Sequence, residues 1–518
     1  MEGFAGRTAI GVVAVAAVVA TIALLAPAVS AATGDRCRPG EPGIGDRYFP
    51  GYGNGGYDVD HYTLDIAYDP ATDHLRGRAK LHAQATESLC SLNLDLLGFD
   101  IRRIKVRNET ARWSRAGQEL TVTPRKPLRK GKGFALTVRY GGVPVDFRDR
   151  TYGVPIGFTP TGDGAVAVGQ PESAATWFPV NDHPSDKAAY TFTVAAPDGY
   201  EVVANGRPRG TEPSLPGWTE WSWRAKAPMA PYLATVGIGA WDVHRWRTDD
   251  GIPVYDAVDP AIGAAVRSAI DSSLAKQGEI LDFLADRIGR PYPFDTVGAI
   301  VDPERPIAFA LETQTRPTYA AIFWIDRSGQ PAEADYVVAH ELAHQWFGDD
   351  VALRRWRDIW LNEGFATFFE YLWTGEHGGP TPRQIYEGAL AGIPADDPLW
   401  SVKIGDPGPE RLLDDAVYLR GMLTLEALRE AVGDDDFWTI IGRWAQSRAG
   451  RNGTTAQFIG IAEKVSGKRL DGLFDAWLYT AEKPAVPATL RGSRSSPDTA
   501  AARRSLAELR RRVALGGY

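Results

Sequence analysis

Val338-Ala-His340-Glu341-Leu-Ala-His344-Gln-Trp-Phe-Gly348 is the stretch from which the rest of the chain is read. In a helix, residues four apart lie on one face, so His340 and His344 project together and can hold one zinc ion. Glu341 sits about 100° round the helix, placed to reach a water at that ion without being a ligand. Histidine occurs only eight times in 518 residues, so a pair at this spacing is informative. Zinc enzymes usually take three protein ligands and leave a fourth position for water. The next helical segment, Asp358-Ile-Trp-Leu-Asn-Glu363-Gly-Phe-Ala-Thr-Phe-Phe-Glu370, supplies candidate carboxylates, and a turn before it would bring it back antiparallel. Spacing leaves Asp358, Glu363 and Glu370 all open as the third ligand.

Outward from this point the pattern changes twice. Apolar residues recur at helical spacing from Asp259 to Ile288, and helices are expected at about 333–347, 359–374, 415–431, 435–447, 455–466 and 470–479. Before Trp246 the sequence instead alternates apolar with polar, as in His61-Tyr-Thr-Leu-Asp-Ile-Ala-Tyr and Tyr190-Thr-Phe-Thr-Val, with Gly, Pro or Asp between runs. Those are half-buried antiparallel strands. The expected fold class is α+β and multidomain, with an antiparallel β domain over 51–246 and a mixed domain over 247–483 that is mostly helical after residue 330.

Composition agrees with that size of fold. At 44% hydrophobic and 24% charged residues the chain is neither disordered, collagen-like nor a small disulfide-stapled protein. Single cores stop growing at roughly 250–300 residues, so two or more domains are required. Lys and Arg number 57 against 65 Asp and Glu, a formal net charge of −8, and no nucleic-acid partner is expected from that balance. At the start, Arg7 precedes an uncharged run from Ala9 to Ala26 and then small residues to Ala32. That is the pattern of a secretory signal peptide over residues 1–31, so the protein is expected to be secreted or held in the cell envelope. An uncleaved anchor is the alternative, and only then is a membrane a partner. Residues 32–50 read as a linker. Cys37 and Cys90 are expected to be bridged in an oxidising compartment, which is worth about 4 kcal/mol on chain-entropy grounds. From residue 484 the text is a basic tail, expected to be flexible, with seven arginines against Asp498 and Glu508.

The run His340-Glu-Leu-Ala-His-Gln-Trp-Phe-Gly-Asp349, the eighteen residues between His344 and Glu363, and Trp360-Leu-Asn-Glu363-Gly-Phe-Ala together resemble the aminopeptidase N family of zinc metallopeptidases. The resemblance covers roughly residues 50–480 and implies a thermolysin-like catalytic domain with one zinc ion. It maps the third ligand onto Glu363, beside His340 and His344. The family's Gly-x-Met-Glu-Asn motif stands here as Phe309-Ala310-Leu311-Glu312-Thr313, keeping the glutamate that holds a substrate's α-ammonium but neither the glycine nor the asparagine. Gln170-Pro-Glu172, followed by Trp177-Phe-Pro-Val-Asn-Asp-His183, resembles the substrate-binding strand, with Glu172 as a second carboxylate at the amino terminus and Gln170 beside it. His183 replaces a common glutamate and is read as structural. Tyr418-Leu-Arg420-Gly421 matches the position of the family's catalytic tyrosine.

The resemblance implies an exported zinc aminopeptidase acting on peptides with a free N-terminus, with Glu341 and Tyr418 catalytic. It also implies a short form lacking the large helical C-terminal domain of bigger members, and hence an open cleft. Two other functions compete: a zinc endopeptidase using such a cleft, and a catalytically silent binding module on the same fold.

Overall fold

Strand formation is set by alternation. In the computed structural model, Tyr57–Asp69 (β1) buries Tyr62, Leu64 and Ile66 and leaves His61, Thr63 and Asp65 facing outward, the period-2 pattern of a sheet with one covered face. The structure describes residues 36–149, 153–303, 308–326 and 328–485, with 500, 503–507 and 510. The expected leader at 1–31 lies outside the described residues. Among those residues no helix is long and apolar enough to cross a membrane.

β1 sits inside an eight-stranded sheet with His74–Ala85 (β2), Asp100–Val106 (β3), Glu109–Thr110 (β4), Gly133–Gly142 (β5), Ala188–Pro197 (β6), Arg207–Pro213 (β7) and Trp218–Met229 (β8). Its order is β7-β8-β6-β1-β2-β5-β3-β4. One pairing departs from the antiparallel expectation: β6 runs parallel to β1, with Tyr190 opposite Tyr62. Those two rings stack 4.9 Å apart under the sheet, which fixes the register of two strands distant in sequence better than local alternation can. A second sheet consists of Asp242–Arg247 (β9), Pro253–Val258 (β10), Val297–Asp302 (β11), Ala310–Leu311 (β12) and Thr318–Ala320 (β13), ordered β9-β10-β11-β13-β12. β10, β11 and β13 are parallel, and the edge strand β12 is antiparallel to β13.

Helices pack against this second sheet. The stretch 259–288, read as one helical run, is two helices, Ala264–Leu274 (α1) and Gln277–Ile288 (α2), broken at Ala275-Lys276. Lys276 turns out to meet Glu333 and Asp335. Then follow Asp335–His344 (α3), Trp360–Glu376 (α4), Pro382–Gly392 (α5), Asp415–Val432 (α6), Asp434–Ser447 (α7) and Thr455–Ser466 (α8). α5 was not foreseen, although its start carries a capping box between Thr381 and Gln384 with Pro382 at the first helical position.

The segment read as a linker is tied down. Cys37 and Cys90 are bridged, with Cα atoms 5.1 Å apart. Asp46 is buried and accepts from the Tyr48 and Trp356 backbone N–H groups at 2.9 and 3.0 Å. His183 Nε2 lies 3.2 Å from the same carboxylate, consistent with its structural reading. Glycine and proline made this stretch look like a spacer, but its polar side chains pin it to both sheets' neighbourhoods. The basic tail also departs from the solvated expectation. Residues 503–507 are helical, Ser505 and Leu506 are buried, Arg503 donates to the Gly392 carbonyl, and Arg510 pairs with Asp397 and Asp415.

Candidate metal centre and active site

α3 is apolar on nearly every side, with Val337, Val338, Leu342 and Ala343 wholly buried, so its two histidines are carried into the interior. α4 returns beside it. The Nε2 atoms of His340 and His344 stand 3.1 Å apart, and Glu363 Oε2 lies 3.7 and 3.3 Å from them. Three donors on a tetrahedral zinc ion at 2.0–2.1 Å would be separated by about 3.3 Å, which is the scale of this triangle.

Proton placement argues the same way. His340 Nδ1 lies 3.1 Å from Glu370 Oε2, and His344 Nδ1 lies 3.0 Å from the Phe347 carbonyl. Both partners are acceptors, so each ring places a hydrogen on Nδ1 and turns Nε2 toward the other ring and Glu363, where it can take a cation or, without one, a proton. Two ring nitrogens and a carboxylate oxygen converging at this spacing can hold a cation. The donor set, two imidazoles and one carboxylate, suits zinc.

The three candidate carboxylates now separate. Glu363 joins the triangle. Glu370, two helical turns further along α4, sits behind His340 and orients its ring. Asp358 accepts from the Thr455 N–H and hydroxyl at 3.1 and 2.7 Å and so caps α8. Replacing Glu370 with alanine is expected to lower zinc affinity 10- to 100-fold while the fold persists, as for other carboxylates that orient a ligating histidine. Titration with a zinc buffer measures it, and an unchanged affinity would leave Glu370 without that role.

Glycines bring the candidate side chains together. A Cβ on Gly364 of α4 would lie 2.8 Å from the Gly421 Cα of α6, and the reverse contact would be 2.7 Å. Only a glycine pair permits so close a crossing, and it sets Tyr418 on α6 beside the centre, its ring 6.2 Å from that of His340. Arg420, wholly buried, donates to the carbonyls of Trp400, Val402, Ala476 and Thr480, clamping α6 in place.

Glu312 leaves edge strand β12 and points back at α3. Single atoms of Glu312, Glu341 and His344 lie within 4.8 Å of one another. Tyr232 donates to Glu312 Oε1 at 2.9 Å; burial and the Glu312 charge raise the Tyr232 pKa well above its ordinary value, keeping it a donor. Gln345 grips the same loop, donating to the Glu312 carbonyl at 3.1 Å and accepting from the Thr315 N–H at 2.7 Å. Thr313, which stands where the resembled motif has asparagine, turns its hydroxyl to the Arg316 carbonyl and closes the turn. Sequence reading missed Tyr232 and Gln345. Gln345 adjoins the second histidine and was findable there, whereas Tyr232 had no local signal.

Glu341 is 1% exposed, and its Oε1 has no hydrogen-bond partner in the structure. Burial raises its pKa well above the usual range, His344 opposes this, and Glu312, Glu363 and Glu370 add to it. Burial disfavours charge on His344, but Glu363 and Glu312 raise its pKa overall. Gln170 and Glu172 line a small cavity with Phe49, Ile156, Leu412 and Leu413. An aromatic series links that cavity to Glu312: Phe49 meets Trp356 at 6.1 Å, and Trp356 meets Tyr232 at 5.2 Å. Every predicted site residue is buried, Gln170 the most exposed at 5%.

Comparison with known proteins agrees with this geometry. Residues 58–233 match the Peptidase M1 N-terminal domain and residues 272–477 the Peptidase family M1 domain. The chain is 24% identical to a glutamyl aminopeptidase of Bitis rhinoceros over 84% of its own length and 47% of that protein. It is 27% identical to the tricorn protease-interacting factor F2 of Thermoplasma volcanium over 64% of its length and 43% of the relative. The chain thus spans about half the length of the curated relatives it matches. Among solved structures, an M1 zinc metallopeptidase from Deinococcus radiodurans superposes with a TM-score of 0.75 at 27% identity, covering 86% of this chain and 99% of that one.

Proposed function

Because the chain belongs to peptidase family M1, we propose that it is a zinc-dependent aminopeptidase removing the first residue from peptides with a free α-ammonium. The observation that carries this reading is the convergence of a cation triangle, His340, His344 and Glu363, with two further carboxylates, Glu341 and Glu312, beside His344. A variant of the Deinococcus enzyme bound to a Tyr-Ser-Ala substrate supports peptides as the substrate class. The leader read at residues 1–31 supports action outside the cytoplasm.

One zinc ion held by the three ligands would supply a water with a pKa near 7 and a Lewis acid for the scissile carbonyl. The chain's own residues do the rest. Glu341, buried and with one oxygen lacking a hydrogen-bond partner, takes the proton from the attacking water and passes it to the leaving amine. The Tyr418 hydroxyl donates to the developing oxyanion, a contribution of about 3–4 kcal/mol for one well-placed donor. Glu312, fixed by Tyr232 and Gln345, holds the substrate's ammonium with Glu172, and Gln170 lies alongside. That grip places the first peptide bond at the centre, which favours an exopeptidase over an endopeptidase.

The test compares a chromogenic aminoacyl amide with its N-acetylated form. Turnover of the free amine alone is expected, and equal turnover of both would overturn the reading. Glu312→Ala should cost about 10- to 100-fold in kcat/KM on the free-amine substrate, the worth of one hydrogen bond to a charged group, with the melting temperature little changed. No loss would remove Glu312 from ammonium binding.

A further inference from the structure

The outward face of the eight-stranded sheet carries a charge pattern opposite to that of the chain. Overall the protein has a formal net charge of −8, yet β2 points Arg76, Arg78 and Lys80 outward in succession, each exposed. Residues two apart on a strand are about 6.8 Å from each other, and neighbouring strands about 4.8 Å. Arg139 on β5 stands directly opposite Arg78, and Arg103 on β3 directly opposite Arg139. Like charges directly opposite each other across strands destabilise a sheet. Asp65 of β1 pairs with Arg78 at 2.5 Å, which leaves Arg139 and Arg103 facing each other. Among the described residues Arg76, Lys80 and Arg139 have no acidic partner within ion-pair distance.

The floor between these cations is short and hydroxylated. Thr63, Thr137 and Thr193 lie on the same face, Thr137 opposite Lys80 and Thr193 opposite Asp65. A hollow of about 610 Å³ opens at the Thr193 end of this face, lined by Thr193 and Ser214 with Arg76, Arg78, Arg102 and Arg139, and by Asp65 and Glu220. The one aromatic side chain lining it, Tyr140, is buried on the inner face. A base-stacking platform of the kind that holds single-stranded nucleic acid is therefore missing.

From this lattice of cations over a hydroxyl floor, we infer that the sheet face is a docking surface for a linear anionic polysaccharide. Charge complementarity supplies the attraction, which is long-range and salt-dependent. Threonine hydroxyls match sugar hydroxyls as donors and acceptors, and the hollow has no exposed ring in its lining, which disfavours nucleic acid there. The surface is separate from the peptidase centre, so the inference stands or falls apart from the catalytic reading.

The full-length protein is tested with a fluorescent heparin oligosaccharide by anisotropy at 50 and 200 mM salt. Binding is expected at 50 mM and should weaken at least tenfold at 200 mM. The double variant Arg103→Thr with Arg139→Thr should bind at least tenfold more weakly and lower the slope of log affinity against log salt by roughly two. Its aminopeptidase turnover should be unchanged, and its melting temperature should hold or rise, because the like-charge pair is gone. No binding at 50 mM, equal affinity in the variant, or equal affinity for a single-stranded DNA of matched charge would each overturn the inference.

Discussion

Glu341→Gln is expected to abolish turnover by a factor of roughly 10²–10⁴, the range supplied by a positioned general base, while one zinc ion stays bound. Glutamine keeps the shape and volume of the side chain, so α3 and its two histidines stay where they are. What it loses is the ability to accept and return a proton. The position is suited to that task because Glu341 is enclosed, has an oxygen without a hydrogen-bond partner, and is surrounded by Glu312, Glu363 and Glu370. Those neighbours strengthen its hold on a proton once taken. The check is kcat on an aminoacyl amide alongside metal analysis of the same preparation. Full activity in the variant would assign proton transfer elsewhere.

Glu363→Ala should have an effect as large by a different route. It removes one corner of a triangle whose edges are 3.1, 3.3 and 3.7 Å and leaves the two imidazoles without the carboxylate that completes the ligand set. Zinc affinity is expected to fall by more than the 10- to 100-fold anticipated for Glu370, and activity at limiting zinc should vanish with it. The variant thus loses metal and turnover together, whereas Glu341→Gln loses turnover alone. Paired metal and activity measurements on the two variants separate ligand from base. Retention of stoichiometric, tight zinc in Glu363→Ala would remove Glu363 from the ligand set.

What the sequence disclosed follows from the range of the forces involved. His340 and His344 were legible because helical period alone puts them together. The β character of residues 57–229 was legible because one covered face imposes alternation. By contrast, the choice among Asp358, Glu363 and Glu370 depends on how α4 crosses α3, and the close approach of Gly364 and Gly421 that aims Tyr418 is a contact between distant segments. The parallel pairing of β6 with β1 is equally non-local. Tyr232 shows the limit most plainly: a lone tyrosine after a proline acquires its role only when the turn 231–233 packs against Glu312. Composition misled at both ends of the described chain, where Asp46 and Arg510 make specific ion or hydrogen-bond contacts inside segments that read as spacer and tail.

Metal analysis of the purified, unmodified protein reaches the central claim most directly. One zinc ion per chain is expected, removed by a chelator together with aminopeptidase activity and restored with it on adding zinc back. A preparation that hydrolyses aminoacyl amides at full rate with no bound metal would contradict it.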